Sequence, residues 1–299
     1  AKHIFMTTGA AGALAHALRA VAEPGSEILT FAPYFPEYGP YVEGAGCTLR
    51  VVPAQEEDFQ IDFEALEKML SNNTSAVLIN TPNNPSGVVY SAETLVRLAD
   101  MLEIKQREFG HAIYLISDEP YREIIFGGRE CPYAARFYDN TITCYSFSKS
   151  LSLPGERIGY VAVNPACQDA ALIVEVCGQI SRRIGHNCPP SIIQFAVAQV
   201  LDQTADLSVY ETNKEILYTA LTKMGFSCVE PGGTFYMFPC APGGDAEAFS
   251  QKAKEFDLLL VPGTSFGCPG HFRISYCIDT EKVKRSLQAF QKLAEVYFG

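Results

Sequence analysis

Short apolar runs alternate with longer helical patterns along the first two thirds of the chain. Most of these runs are apolar on both faces, which is typical of strands that helices cover on both sides. We predict seven strands, at residues 3–7, 27–31, 48–52, 76–80, 113–117, 141–147 and 159–163. Helices are predicted between them at 11–22, 62–71 and 92–109. This alternation predicts an α/β fold with a mainly parallel seven-stranded sheet covered by helices.

The pattern changes after about residue 190, where the helical stretches are long and the apolar runs are short. Helices are predicted at 191–201, 210–224, 246–256 and 280–297, and short strands around 226–229, 234–238 and 272–275. A chain of 299 residues is long enough for two lobes. We therefore predict a large domain over about 1–205 and a smaller α+β domain over about 206–299.

The composition is that of an ordinary globular chain, with 47% hydrophobic residues, 19% charged residues and a net charge of -11. An acidic chain repels nucleic-acid phosphates and anionic membranes, so neither is an expected partner. No apolar stretch approaches the roughly 18 residues of a membrane span, and no signal peptide opens the chain. The ten cysteines are scattered, without a CxxC pair or clustered histidines. We expect free thiols in a reducing cytoplasm and no metal site.

Two basic residues stand close together after the predicted strand at 141–147. Lys149 lies among small hydroxyl residues in the run Ser-Phe-Ser-Lys-Ser. Such a lysine is a candidate nucleophile, and a plain loop lysine is the alternative. Arg157 follows eight residues later, and its planar fork of donors suits a phosphate group. A surface ion pair with Glu156 is the alternative for this arginine.

Three other segments follow predicted strands and carry polar or small residues. Asp118 comes at the carboxyl end of a strand, where side chains face the ligand crevice of an open α/β sheet, although it could also cap a helix. The run Asn-Pro-Ser-Gly at 84–87 is either functional or an ordinary turn. The small residues at 7–12 could let helix N–H groups approach a phosphate, or simply let a helix pack closely. They lack the GxGxxG spacing of a dinucleotide site.

The chain resembles the pyridoxal-phosphate aminotransferases of fold type I, classes I and II, which form the superfamily of aspartate aminotransferase. Five pieces occur in the family's order and spacing: Asn-Pro-Ser-Gly at 84–87, Asp-Glu-Pro-Tyr at 118–121, Ser-Phe-Ser-Lys at 146–149, Gly-Glu-Arg-Ile-Gly-Tyr at 155–160 and Gly-His-Phe-Arg-Ile-Ser at 270–275. The resemblance extends over essentially the whole chain. It implies pyridoxal 5'-phosphate as the cofactor.

The resemblance also implies how the cofactor ring would be bound. Lys149 would form a Schiff base with the cofactor and would move the substrate proton once displaced. Asp118 would pair with the pyridine nitrogen and keep it protonated. Tyr121 and Asn84 would donate hydrogen bonds to the phenolic oxygen. Phe35 falls where the family stacks an aromatic ring on the cofactor, although core packing is an alternative and Tyr34 or Tyr38 could take that place.

The phosphate and the substrate carboxylates have their own implied residues. Ser146, Arg157 and the backbone N–H groups of Ala10 and Ala11 would hold the phosphate. Arg273 would bind the substrate α-carboxylate in a bidentate pair, with a surface residue as the alternative. Arg183, with Arg182 beside it, matches the arginine by which dicarboxylate-specific members reach the distal carboxylate in the neighbouring subunit. Surface or interface ion pairs are the alternative for both.

The chain departs from the family in two places. Many members carry a polar side chain in the phosphate loop where this chain has Ala11 and Gly12, so we expect phosphate binding to depend on backbone N–H groups. The family also has a longer segment before the Gly9 loop than this chain has. We therefore expect the amino-terminal part of the small domain to be absent.

The resemblance implies an enzyme that moves an amino group between an amino acid and a 2-oxo acid by a ping-pong route. It also implies a homodimer, with the active site at the interface between the two subunits. A lyase or synthase on the same scaffold is one alternative, because the cofactor motifs do not distinguish these reactions. A non-catalytic ligand-sensing domain of aminotransferase type is another.

Overall fold

The structure, a computed structural model, describes residues 2–299. Seven strands form one sheet in the order β1-β7-β6-β5-β4-β2-β3. They are β1 (Ile4–Thr7), β2 (Glu27–Phe31), β3 (Thr48–Val52), β4 (Thr74–Asn80), β5 (Tyr114–Asp118), β6 (Thr141–Ser146) and β7 (Gly159–Val163). The neighbours from β3 to β6 pair in parallel, whereas β7 is antiparallel to both β1 and β6. The predicted mainly parallel sheet is therefore confirmed.

Alternate side chains of the strands enter two cores, one on each side of the sheet. Ile28 and Leu78 pack under α1 (Gly9–Val21), α2 (Tyr38–Gly44) and α6 (Ala170–Ile184). Leu29 and Val77 face the opposite way, under α3 (Phe63–Met69) and α4 (Ala92–Phe109). Because both faces are covered, the strands are apolar throughout, which is the pattern that the sequence carries.

Capping residues set the helix ends that the sequence predicts best. The hydroxyl of Ser91 accepts a hydrogen bond from the N–H of Thr94 at 3.1 Å, and Gly110, with φ 77°, caps the carboxyl end of α4. The carboxylate of Asp62 caps α3 in the same way, accepting from the N–H of Ala65 at 2.9 Å. These local signals explain why the predicted bounds of α4 agree with the structure.

Several elements differ from the predictions. The helices α2 and α6 were not predicted, and neither was α5 (Phe147–Ser150), a single turn directly after β6. The predicted strand at 226–229 is wrong, because this segment forms no strand in the structure. One backbone hydrogen bond joins it to the chain just after the short strand Tyr236–Met237, from the N–H of Cys240 to the carbonyl of Ser227 at 2.9 Å, and the ring of Phe226 packs against that of Phe272 in the strand Phe272–Ser275.

A second, smaller lobe follows α7 (Ser191–Ala198). It contains α8 (Ser208–Lys223), α9 (Ala246–Lys254), α10 (Thr280–Phe298) and a three-stranded antiparallel sheet of β8 (Tyr236–Met237), β10 (Phe272–Ser275) and β9 (Val261–Pro262). An aromatic core fills this lobe, with Phe226, Phe249, Phe272 and Phe290 buried at its centre, and Tyr121, Ile124 and Phe126 of the large lobe join it. Because most of this core comes from residues after 205, we retain a domain division near residue 205 as a proposal.

Each of the ten cysteines is a free thiol. Among residues 2–299, we find no helix that combines the length and the apolar character needed to cross a membrane.

Candidate active site

A cleft of about 460 Å³ opens at the carboxyl ends of β4, β5 and β6. Both lobes contribute to its walls, since Tyr236, Phe266 and Arg273 come from the small lobe. Ten of the eleven site residues expected from the sequence line this cleft: Ala10, Ala11, Phe35, Asn84, Asp118, Tyr121, Ser146, Lys149, Arg157 and Arg273. A crevice at the carboxyl ends of parallel strands is where open α/β sheets bind their ligands.

Asp118 ends β5 and is buried at the floor of the cleft. Its Oδ2 accepts a hydrogen bond from the hydroxyl of Tyr38 at 2.7 Å. Its Oδ1 is buried and has no hydrogen-bond partner among residues 2–299. Burial raises the pKa of Asp118 to about 7, and the Tyr38 hydrogen bond acts in the opposite direction. A buried carboxylate with one unused oxygen is suited to a cationic N–H donor.

One asparagine connects Asp118 with the loop after β4. The side-chain amide of Asn80 donates to the backbone carbonyl of Asp118 at 2.8 Å. The carbonyl oxygen of the same side chain accepts from the N–H of Asn84 at 2.7 Å. Asn80 therefore holds the backbone of two cleft residues in fixed positions. The side chain of Asn84 in turn accepts a hydrogen bond from Nη1 of Arg273 at 3.0 Å.

Lys149 lies in the single turn α5 and is partly buried. Its Nζ is 5.3 Å from the ring centroid of Phe235 and 5.9 Å from that of Tyr121. Burial lowers the pKa of Lys149, the Cys277 thiol acts in the opposite direction, and Arg157 and Arg273 lower it further. A lowered pKa raises the fraction of neutral amine, which is the nucleophilic form.

An anion-binding cradle lies at the start of α1. The N–H groups of the first helical turn, which include Ala10 and Ala11, have no partner within the helix. Arg157 lies across this turn, and its Nη2 donates to the carbonyl of Thr8 at 3.2 Å. Gly9 has φ 78°, and a Cβ there would come within 2.5 Å of Nη2 of Arg157. The cradle therefore requires glycine at this position.

Ser146 borders the same cradle from the end of β6. Its hydroxyl is 2.7 Å from the hydroxyl of Ser148, which accepts a hydrogen bond from Nη1 of Arg157 at 3.4 Å. Hydroxyls, helix N–H groups and a guanidinium thus converge on one place. This combination of donors binds a phosphate or a similar dianion.

Arg273 is held between two aromatic rings. Its guanidinium carbon lies 4.6 Å from the ring centroid of Tyr236 and 4.9 Å from that of Phe266. Nη1 binds Asn84, whereas Nε is buried and without a hydrogen-bond partner among the described residues. The free edge of this guanidinium can bind a carboxylate in the bidentate manner.

Phe35 is half-buried on the cleft wall, and its ring meets that of Tyr38 edge-on at 5.7 Å. Tyr38 is committed to Asp118, and Tyr34 packs between two cores and is not among the residues that line the cleft. Phe35 is thus the aromatic residue of this segment that is available to a ring bound in the cleft.

Arg183 is the expected residue that the structure leaves outside the cleft. It lies near the end of α6 and is exposed, as is Arg182. An arginine that serves a neighbouring subunit would be exposed in a single chain, and so would one in a surface ion pair. Its role stays a prediction.

The sequence analysis did not find Asn80, Tyr236 or Phe266 as cleft residues, and it considered Tyr38 only as an alternative stacking ring. A local signal for Asn80 is present in the sequence, because this polar residue ends the apolar run at 76–79. Tyr38 carries none, since its partner Asp118 is 80 positions away in the chain.

Comparison with known proteins places this fold and cleft in a wider group. The family described as aminotransferase class I and II matches residues 1–290. The aspartate aminotransferase of Thermotoga maritima is 33% identical over 298 residues, which cover 96% of this chain and 74% of that protein. Aromatic-amino-acid aminotransferase 2 of Thermococcus litoralis is 30% identical, covering 97% of this chain and 75% of that protein.

The crystal structure of an amino transferase from Eubacterium rectale is also similar. It superposes with a TM-score of 0.97 at 47% identity, covering 100% of this chain and 75% of that one. The general class of this protein is defined by its two-lobed α/β fold and by the lysine and the anion cradle at the carboxyl edge of its sheet. The chain belongs to the aminotransferase class I and II family, and it is an enzyme that transfers amino groups.

Proposed function

We propose that this enzyme uses pyridoxal 5'-phosphate, held on Lys149, to move an amino group between an amino acid and a 2-oxo acid. The observation that carries the proposal is the unused Oδ1 of Asp118, buried at the floor of the cleft that Lys149 also lines. A pyridinium N–H would supply the missing partner. The anion cradle at the start of α1 fits the phosphate of the same molecule.

When bound, pyridoxal phosphate supplies an electron sink that stabilises negative charge on the substrate α-carbon. The carboxylate of Asp118 would keep the ring nitrogen protonated, because an anion beside a pyridinium favours the charged form. Tyr121 and Asn84 would donate hydrogen bonds to the phenolic oxygen. Phe35 would cover one face of the ring, which limits its orientation and excludes water.

Lys149 would have two tasks in succession. It would first hold the cofactor covalently through Nζ, and burial favours the neutral amine that this attachment needs. Once the substrate amine displaces it, the freed amine would take the proton from the substrate α-carbon and return it at another position. The reaction would then be ping-pong, because the first product would leave before the second substrate enters.

Arg273 would orient the substrate by its α-carboxylate. Its Nε lacks a partner within the described chain, and the rings of Tyr236 and Phe266 restrict its movement. A fixed bidentate pair places the α-carbon in one position relative to Lys149, and such positioning accounts for a large part of enzymatic rate enhancement. The anion cradle with Arg157 would fix the other end of the complex.

The identity of the amino donor depends on what binds the substrate side chain. Relatives are named for aspartate and for aromatic amino acids, so their names do not agree on one donor. We propose a homodimer in which Arg183 enters the neighbouring subunit's cleft and pairs with the distal carboxylate of aspartate or glutamate. The exposure of Arg183 at the end of α6 leaves it free for this contact.

The test is to locate the cofactor. The purified protein, supplied with pyridoxal phosphate, should absorb visible light, and borohydride reduction followed by peptide mass spectrometry should find the label on Lys149. Lys149→Ala should lose both signals, whereas Lys68→Ala, which removes an exposed lysine of α3, should keep both. A label on a different lysine, or visible absorbance retained by Lys149→Ala, would overturn the assignment.

A second measurement separates transfer from a lyase or synthase reaction on the same scaffold. One equivalent of amino acid donor, added to the holoenzyme without an oxo acid, should convert the cofactor to pyridoxamine phosphate. Elimination or ring-closing chemistry would leave pyridoxal phosphate. A non-catalytic ligand-sensing domain would bind the amino acid without releasing a 2-oxo acid.

A further inference from the structure

We propose that Tyr38 is a positioning residue that sets the cofactor affinity of the cleft by orienting the carboxylate of Asp118. The inference rests on the proposed function, because it concerns the residue that would pair with the cofactor ring. Tyr38 does not line the cleft itself. It would act on the bound ring entirely through Asp118 and Phe35.

The hydrogen bond between the two side chains is short and shielded from water. The hydroxyl of Tyr38 donates to Oδ2 of Asp118 at 2.7 Å, and the tyrosine is 0% exposed. Tyr38 is the first residue of α2, and it packs in the same core as Leu14 of α1 and Val42 of α2. The ring has no room to swing away, so the position of its hydroxyl is determined by the packing of the core.

This hydrogen bond makes the two carboxylate oxygens unequal. Oδ2 is occupied by Tyr38, while Oδ1 is buried without a partner among residues 2–299. The backbone of Asp118 is held separately, through the hydrogen bond from Asn80. Rotation of the side chain about its Cα–Cβ and Cβ–Cγ bonds is the freedom that remains, and the hydrogen bond from Tyr38 restricts it. Oδ1 is left as the single acceptor for a ring N–H.

The same tyrosine supports a second cofactor-facing residue. Its ring meets that of Phe35 edge-on, with centroids 5.7 Å apart and planes at 80°. Phe35 lines the cleft wall, and Asp118 lines its floor. Tyr38 therefore connects the side chain proposed to cover the ring face with the one proposed to bind the ring nitrogen. A substitution at Tyr38 is expected to alter the positions of both Phe35 and Asp118.

Tyr38 also favours the ionised form of the carboxylate. A hydroxyl that donates to a carboxylate stabilises its charge, and in this site the hydrogen bond opposes the rise in pKa caused by burial. Tyr38→Phe keeps the ring and removes the donor. Hydrogen bonds to charged groups are strong enough that this loss should weaken pyridoxal phosphate binding by about 10- to 100-fold.

Tyr138 offers a matched control. It is also a buried tyrosine of the large lobe, and its hydroxyl donates to the backbone carbonyl of Ile113 at 2.6 Å. It is not among the residues that line the cleft. Tyr138→Phe removes a comparable buried hydrogen bond, so it reports the general consequence of losing a tyrosine hydroxyl in this fold.

The experiment measures the dissociation constant of pyridoxal phosphate by absorbance titration for wild type, Tyr38→Phe, Tyr138→Phe, Asp118→Asn and the double variant Tyr38→Phe/Asp118→Asn. Circular dichroism establishes that each variant is folded. We expect Tyr38→Phe to raise the constant about 10- to 100-fold and Tyr138→Phe to change it less than about two-fold. In the Asp118→Asn background, Tyr38→Phe should have little further effect, because the two residues act as one unit.

The outcomes distinguish the two proposals. If wild type binds the cofactor on Lys149 and Tyr38→Phe binds it equally well, the inference about Tyr38 is wrong and the proposed function stands. The inference would also be wrong if Tyr138→Phe raised the dissociation constant as much as Tyr38→Phe does, or if Tyr38→Phe kept its full effect in the Asp118→Asn background. Tyr38 would then contribute to packing alone. If Tyr38→Phe does not fold, the weaker cofactor binding expected of Asp118→Asn still tests the link, since unchanged binding would overturn it. Wild type that takes up no cofactor overturns both proposals.

Discussion

The floor of the cleft and the core of the small lobe are both buried, yet their side chains differ in whether they find contact partners. In the small lobe, the rings of Phe249 and Phe272 pack with centroids 4.6 Å apart and planes tilted by 37°, among other apolar groups. In the cleft, Asp118 and Arg273 are each left with a buried polar atom that has no partner among residues 2–299. Burial without hydrogen bonding opposes folding. The cleft is therefore built for a ligand and the small-lobe core for stability.

The largest effect on folding is expected in the small-lobe core. Phe249→Ala removes a side chain that is 1% exposed and in contact with Phe226 and Phe272. The free energy of unfolding should fall by about 3–5 kcal/mol, as for other buried aromatic residues replaced by alanine. Denaturant unfolding measures it, and Leu259→Ala, which truncates an 86% exposed side chain, is the control. A loss below about 1 kcal/mol would contradict the description of this core.

In the cleft the expected effect is on catalysis. Arg273→Lys keeps the positive charge but loses the planar fork, so the substrate α-carboxylate would keep one contact in place of two. We expect kcat/KM to fall by about 100-fold, with the free energy of unfolding changed by less than about 1 kcal/mol. Arg107→Lys, at an exposed arginine of α4, should leave kcat/KM unchanged. Equal kcat/KM values for Arg273→Lys and wild type would rule out the carboxylate contact.

A third, intermediate case is Arg183, which lies in neither region. If it reaches the neighbouring subunit, Arg183→Leu should lower kcat/KM for aspartate or glutamate by about 10-fold or more. An alanine or aromatic donor should be little affected, because it offers no distal carboxylate. Arg182→Leu, one residue away, serves as the control. An equal loss for all donors, or no loss, would leave only a surface or interface ion pair.

The sequence predicted the regular parts of the fold because their signals are local. The bounds of β2, β3, β7, β10 and α4 agree with the structure, and each is marked by an apolar run, a cap or a glycine. The segment at 226–229 has an apolar pattern as well, but Phe226 turns into the small-lobe core and forms no ladder. Apolar residues there report burial, and burial alone does not distinguish a strand from an irregular segment.

The candidate site also has a part that the sequence predicts and a part that it does not. The residues expected at the cleft follow strands or open helices, so their common edge of the sheet could be predicted once the strands were known. The contacts that Tyr38 and Asn80 make with Asp118 could not be predicted, because they depend on distances across the fold. The contact of Tyr38 with Asp118 joins residues 80 positions apart. Sequence patterns place side chains at an edge, whereas their partners are decided by packing.

The claim that the cleft floor is built for a ligand is tested most directly by the pH dependence of the free energy of unfolding. It is measured on the cofactor-free protein, for wild type and Asp118→Asn. Burial raises the pKa of Asp118 from 3.8 to about 7, so the folded protein holds this proton more tightly than the unfolded chain does. Stability contributed by this group is then present below pH 3.8 and is lost as the pH rises towards 7.

Wild type should accordingly lose stability relative to Asp118→Asn between pH 4 and pH 8, by on the order of 1–3 kcal/mol. The variant, which has no proton to lose at this position, should at the same time bind pyridoxal phosphate more weakly. Opposite effects on stability and on cofactor binding are what a cleft floor built for a ligand requires. A difference between wild type and variant that stays constant from pH 4 to pH 8, with cofactor affinity unchanged, would contradict it.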